Sequence, residues 1–178
     1  MSGHFKWHPL FAKTTLLLFW LQIISFIIPW VQVLSYVLTA VHIYLLFRLQ
    51  VVNSHFRTAA ILEITALAGR LLLPAVPEGI WMLFRTILVQ GSNLLWAYFA
   101  FTGFSVALKE IDPSLSKKWG TIRSGYLIVN VITTIGIELY SHFTDLFNVI
   151  LLAAIIASCV VDALILINYW KTYKTLKN

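Results

Sequence analysis

Charge is what this chain has least of. Only 11% of its 178 residues are Asp, Glu, Lys or Arg, and seven of them are acidic, against roughly a quarter charged in soluble domains. With 60% of the chain hydrophobic and a mean hydropathy of +0.84, a water-facing fold of this size has no interior large enough for the apolar excess. A lipid bilayer is the solvent that suits it. Cysteine is nearly missing: Cys159 stands alone, which excludes a disulfide within the chain, and its neighbours Ala157, Val160 and Val161 give an apolar setting that suits packing better than reactivity. Proline is sparse and confined to borders, with Pro9, Pro29, Pro74, Pro77 and Pro113 at the ends of apolar runs, where it leaves helical hydrogen bonding intact. Also missing are His-Glu-x-x-His, Gly-x-Ser-x-Gly, a P-loop and a cysteine set near a histidine. No catalytic residue, cofactor or resident metal is therefore expected.

What is present is a series of long apolar runs. About 20 helical residues cross a hydrocarbon core, and six runs reach or approach that length: 9–28, 31–49, 58–76, 80–104, 125–140 and 146–170. Read as one helix, residues 9–49 would extend ~60 Å, about twice the core thickness, so Pro29-Trp30 must be a turn. No small-residue cleavage pattern follows Lys6 and Lys13, and the first run is expected to stay as an anchor. The predicted fold is all-α: one polytopic domain of six transmembrane helices in three hairpins.

Orientation follows from the basic residues. Eleven of the thirteen, namely Lys6, Lys13, Arg48, Arg57, Lys109, Lys117, Lys118, Arg123, Lys171, Lys174 and Lys177, fall at one set of run ends, and the opposite turns carry Glu78, Glu138 and Asp145. Positive loops are retained in the cytoplasm, so both termini are predicted cytoplasmic, in an integral protein of the plasma membrane. Trp30 and Trp81 at outer ends, with Trp7, Trp119 and Trp170 at inner ends, fit interfacial belts. The pI near 9.6 then points to anionic lipid at the cytoplasmic face and not to nucleic acid, because the basic residues border apolar runs and form no stripe on a polar domain. Within the polar segment 109–123, Asp112-Pro113 reads as a helix N-cap and first-turn proline. A short helix over 114–119 is expected to lie flat, with Leu115 and Trp119 in the headgroups.

The two remaining cations, Arg70 and Arg85, lie inside runs, as do Glu63 and Asp162. Ionisable groups at membrane depth face a bundle interior or an aqueous cavity and mark candidate sites. Glu63 and Arg70 are seven residues apart, ~10.5 Å along one helix, too far for a direct salt bridge, so each needs another partner. Arg70 and Arg85 sit at similar outer depth in a hairpin and invite an anion. The expected ligand site comprises Arg70 and Arg85 with Gln90 and Asn93, walled by Trp81, Trp96 and Tyr98; His42, Asn130, Thr133 and Thr134 are polar residues at compatible depth. Gly91-Ser92-Asn93 suggests close helix packing in mid-membrane. Glu138, His142 and Asp145 follow i, i+4, i+7 spacing and form a weak candidate metal set at the outer surface. His42 has no transmembrane histidine mate, which argues against haem.

In size, helix number and the side of its termini, the chain is similar in outline to the substrate-capturing membrane subunits of energy-coupling-factor vitamin importers. Those subunits carry a small-residue motif on the first helix that docks a transporter partner; here the first helix reads Thr14-Thr15-Leu16-Leu17-Leu18-Phe19-Trp20 and is bulky. The resemblance is one of outline. Three functions follow in order of support: a subunit that binds a small anionic or amphiphilic solute from the outer side, with or without a partner membrane subunit; a non-catalytic structural or regulatory subunit whose charges lock helices together; and a membrane-embedded lipid-modifying enzyme using Glu63 or Asp162 as acid or base.

Overall fold

The computed structural model describes residues 8–27, 32–72, 80–139 and 144–177, with side chains described for 9–27, 34–72, 81, 84–134, 149 and 152–177. These form six helices: α1 (His8–Ile27), α2 (Gln32–Leu49), α3 (Ser54–Leu72), α4 (Ile80–Leu108), α5 (Pro113–Leu139) and α6 (Thr144–Lys177). Among the described residues there is no strand, in keeping with the all-α expectation. Among the described residues two stretches, Pro9–Ile27 and Leu152–Lys177, are long and apolar enough to cross a membrane, and Leu34–Leu49 is apolar but shorter. Only 33% and 28% of the two longer stretches' most apolar windows are buried, whereas an apolar helix in the core of a soluble protein is buried all round.

Side-chain caps set the starts of α3 and α5. Asn53 caps α3, its Oδ1 accepting from the His55 N–H at 2.9 Å. Asp112 caps α5, accepting from the Leu115 N–H at 2.9 Å, with Pro113 in the first helical position where its missing N–H is harmless. The cap falls where the sequence places it, yet the helix it opens does not stop at residue 119. It continues through 27 residues to Leu139, because backbone hydrogen bonding is indifferent to the polar side chains that interrupt the apolar run. The flat interfacial segment is accordingly replaced by the first turns of α5. Leu115 and Trp119, expected in the headgroups, are 2% and 0% exposed, and Trp119 belongs to the core and not to an interfacial belt.

Each helix packs beside its neighbours in the chain, and α6 returns to pack beside α1. The six therefore close into a ring of alternating direction. On the side of the termini the ring is filled by aromatic side chains. Phe104 stacks on Trp119 at 4.6 Å and on Phe11 at 5.8 Å, and meets Phe56 at 5.0 Å and Tyr169 at 5.4 Å edge-on. The Trp119 indole N–H donates to Thr172 Oγ1 at 3.0 Å, tying α5 to α6. Ser105 and Ser116 clasp α4 to α5 reciprocally: the Ser105 hydroxyl donates to the Ser116 carbonyl at 3.0 Å and the Ser116 hydroxyl to the Ser105 carbonyl at 2.7 Å. Arg123 donates to Thr102 Oγ1 at 2.9 Å and lies 5.0 Å from the Tyr98 ring centroid.

Close helix packing falls on glycines other than the one the sequence suggested. A Cβ at Gly103 would stand 2.9 Å from the Phe56 ring, and one at Gly69 3.0 Å from Val89, whereas Gly91 has nothing within 4 Å and α4 runs unbroken through it. Gly103→Ala is expected to destabilise the protein by about 1–3 kcal/mol through overpacking of the enclosed Phe56 ring. Gly91→Ala is expected to be neutral or to stabilise by up to about 1 kcal/mol through helix propensity. Thermal unfolding of the two variants in one detergent measures the contrast.

Candidate functional site

Away from the aromatic plug, two cavities occupy the ring side by side. The first, of about 320 Å³, lies toward α1, α2 and α6 and is lined by Gln22, Ser25, Ser35, Thr39, His42, Glu63, Trp96, Tyr126, Asp162 and Tyr169 together with Leu21, Leu38, Phe101 and Ile165. The second, of about 340 Å³, lies toward α3, α4 and α5 and is lined by Thr39, Glu63, Ala66, Leu67, Arg70, Gln90, Asn93, Trp96, Tyr126 and Asn130. Thr39, Glu63, Trp96 and Tyr126 belong to both and form the wall between them.

The middle of that wall is a hydrogen-bonded pair. His42 Nδ1 lies 2.8 Å from both Oε1 and Oε2 of Glu63, each side chain being 14% exposed. An ionised carboxylate only accepts, so the imidazole Nδ1–H donates, shared between the two oxygens. Trp96 packs edge-on against the same imidazole at 5.4 Å and against the Tyr126 ring at 6.3 Å, so both the position and the plane of His42 are set from α3 and α4. Asp162 on α6 has no hydrogen bond or ion pair among the described residues, and the hydroxyl of Tyr169, a residue 4% exposed, makes no hydrogen bond among them either.

Of the residues expected to bind a ligand, Arg70, Gln90, Asn93 and Trp96 come together in the second cavity. Arg85, Trp81 and Tyr98 line neither cavity. Arg85 is two turns outward of Asn93, ~12 Å along α4; Trp81 is 61% exposed beside Phe84; Tyr98 is engaged by Arg123. Glu63 and Asp162 both line the first cavity, and Glu63 lines the second as well. The side chains of Glu138, His142 and Asp145 lie outside the described residues, and among the described residues no group of three metal-ligating side chains is gathered. The sequence reading singled out Glu63 and His42 separately but not their pairing. The signal was available in principle: residues 42 and 63 stand seven from Leu49 and nine from Ser54, nearly equal distances from a four-residue turn between antiparallel helices.

Such an arrangement combines hydrogen-bonding groups of both kinds, one guanidinium at one side and a carboxylate at the other, with aromatic faces between. It suits binding of a small polar solute. Comparison with protein-family models, with curated proteins and with solved structures finds no match for the chain in any of the three.

Removing one member of the His42–Glu63 pair strands the other in a poorly solvated wall. Glu63→Leu or His42→Leu alone is expected to destabilise by on the order of 3 kcal/mol, and the double variant by clearly less than the sum. A double-mutant cycle on unfolding free energies checks this, and additivity of the two single effects would show that the pair contributes no coupling.

Proposed function

We propose that the chain is a multi-pass membrane protein whose six helices all span the bilayer, with both termini cytoplasmic in the plasma membrane, and that it binds a small solute from the outer side. The observation that carries this reading is the pairing of a polar, charge-bearing interior with an apolar exterior. Around the cavities, the outward faces of all six helices present large apolar side chains, among them Trp20, Val37, Ile61, Leu95, Ile128 and Ile156, the inverse of a soluble protein and the arrangement a lipid solvent favours. Spans shorter than the ideal length are supported by their neighbours in the ring, and intramembrane charge is confined to where helices or cavity can satisfy it.

In this reading Arg70, with Gln90 and Asn93, receives the anionic or strongly accepting group of the solute, and Trp96 and Tyr126 flank its apolar part. The aromatic plug closes the cytoplasmic side. Exposed Lys117, Lys118, Lys171 and Lys174 meet anionic lipid there. A partner subunit or a second conformation would be needed for transport. The second reading, a structural or regulatory subunit without a ligand, draws on the His42–Glu63 pair, which is itself a lock between α2 and α3.

Two measurements test the proposal. In sealed vesicles of a Cys159→Ser background, a Ser114→Cys thiol is expected to react with a charged maleimide only in inside-out preparations; reaction in right-side-out vesicles would reverse the topology. Native mass spectrometry of gently extracted protein is expected to find a co-purified small compound that is lost in Arg70→Gln. A protein free of small molecules, or one whose bound compound is unaffected by Arg70→Gln, would favour the structural reading.

A further inference from the structure

The first cavity differs in sign from the second. Its ionisable lining is His42, Glu63 and Asp162, with no lysine or arginine. Glu63 is taken up by His42, whereas Asp162 has no hydrogen bond or ion pair among the described residues. A carboxylate held in a poorly solvated place without a partner is costly, and it is relieved by a proton or by a cation that enters the cavity. The surroundings favour an organic cation over a bare metal ion. No third metal-ligating side chain joins Glu63 and Asp162 among the described residues beyond the already paired His42, while Trp96, Phe101, Tyr126 and Tyr169 contribute aromatic surface, which attracts ammonium groups and accommodates hydrocarbon.

A second and independent observation points the same way. Tyr169 is 4% exposed, its ring is fixed in the plug against Phe104 and Trp119, and yet its hydroxyl has no hydrogen-bond partner among the described residues while the residue lines this cavity. The hydroxyl opens into the cavity that Asp162 also lines, two turns (~10.5 Å) back along α6, and its oxygen can accept from an N–H group of a ligand that fills the space. Toward the far end, Gln22, Ser25 and Ser35 supply neutral polar groups for the remainder of the molecule.

We propose that the cavity between α1, α2 and α6 is a binding site for the ammonium group of a small organic amine, with Asp162 as counter-charge, Tyr169 Oη as hydrogen-bond acceptor and Trp96 and Tyr126 as aromatic walls. This rests on the solute-binding reading above and assigns the chemistry of its second half. The site is distinct from the Arg70 cavity, although the Glu63–Trp96 wall is common to both.

The test uses three probes that share a ring and differ in the head group: benzylammonium, uncharged benzyl alcohol and benzoate. Binding to the full chain in nanodiscs is followed by saturation-transfer NMR and by thermal shift. Benzylammonium is expected to bind saturably and benzyl alcohol not to compete with it. Asp162→Asn should weaken benzylammonium by about tenfold or more, the scale of a lost charge-assisted contact, while Asp162→Glu retains it. Because Asp162 makes no ion pair or hydrogen bond among the described residues, Asp162→Asn should fold and melt no lower than the parent without ligand. Tyr169→Phe, which keeps the ring in the plug, should weaken benzylammonium by a few-fold and leave benzoate unchanged. Equal binding of benzyl alcohol and benzylammonium, binding undiminished in Asp162→Asn, or no benzylammonium binding at all would each overturn the amine site. Benzoate binding lost in Arg70→Gln but intact in Asp162→Asn would leave the solute-binding reading standing while the amine site fell; failure of every probe would remove both.

Discussion

Four other helices meet at the side chain of Phe104. From α4 it touches Phe11 of α1, Phe56 of α3, Trp119 of α5 and Tyr169 of α6, and Gly103 beside it lets the Phe56 ring approach the α4 backbone. A ring of six helices is wider than one layer of side chains can fill unless large groups converge from several walls. Among the described residues they converge on the side of the termini, where Leu46, Leu49, Leu108 and Leu115 complete the packing. One turn or more further along, the inward positions pass to Thr39, His42, Glu63, Asn93 and Asp162, which cannot interdigitate in the same dry way. The filled side and the two cavities are thus two results of a single change in inward-facing side chains.

Electrostatics inside the hollow part obey the same economy. A carboxylate in such surroundings is stable when something positive or a donor stands close, and Glu63 finds it in an imidazole fixed by Trp96. Arg70 lies about two turns outward on the same helix, at the rim of the second cavity, and Asp162 faces the first. Charges of opposite sign therefore occupy opposite halves with an internally compensated pair between them. This separation gives the two halves opposite electrostatic character.

Much of this was legible in the chain. The number of helices, the prolines at their borders, the Asp112 cap and the collection of positive charge at one set of ends follow from local rules, and the described residues bear out the helices and the cap. The helix limits were less legible, since a break in apolarity at 109–123 is not a break in hydrogen bonding. Leu115 and Trp119 show why the face of an amphipathic segment is ambiguous: an i, i+4 apolar pair looks the same whether it meets lipid headgroups or another helix, and here the partner is Phe104, eleven and fifteen positions away. The candidate site was read in part. Gln90, Asn93 and Trp96 share one side of α4 within two turns, so a helical pattern groups them; Tyr98, five positions from Asn93, is rotated by roughly 140° and finds Arg123 instead. That residue 42 meets residue 63 could be read only from their nearly equal distances to the turn between α2 and α3, and the adjacency of α6 to α1 was beyond reach, because no local signal states it.

The closure of the ring also has a consequence for how the chain is assembled. Among the described residues, every extensive helix contact joins elements consecutive in sequence except that between α1 and α6, so the first five helices can pack on one another in chain order. Taken without α6, the other five helices form an arc open along one long side, with Gln22, His42 and Glu63 facing its interior. α6 is the stave that turns the arc into a vessel. It brings Asp162 and Tyr169 in the same movement, so the wall that seals the hollow and the groups that give half of it its chemistry are delivered together.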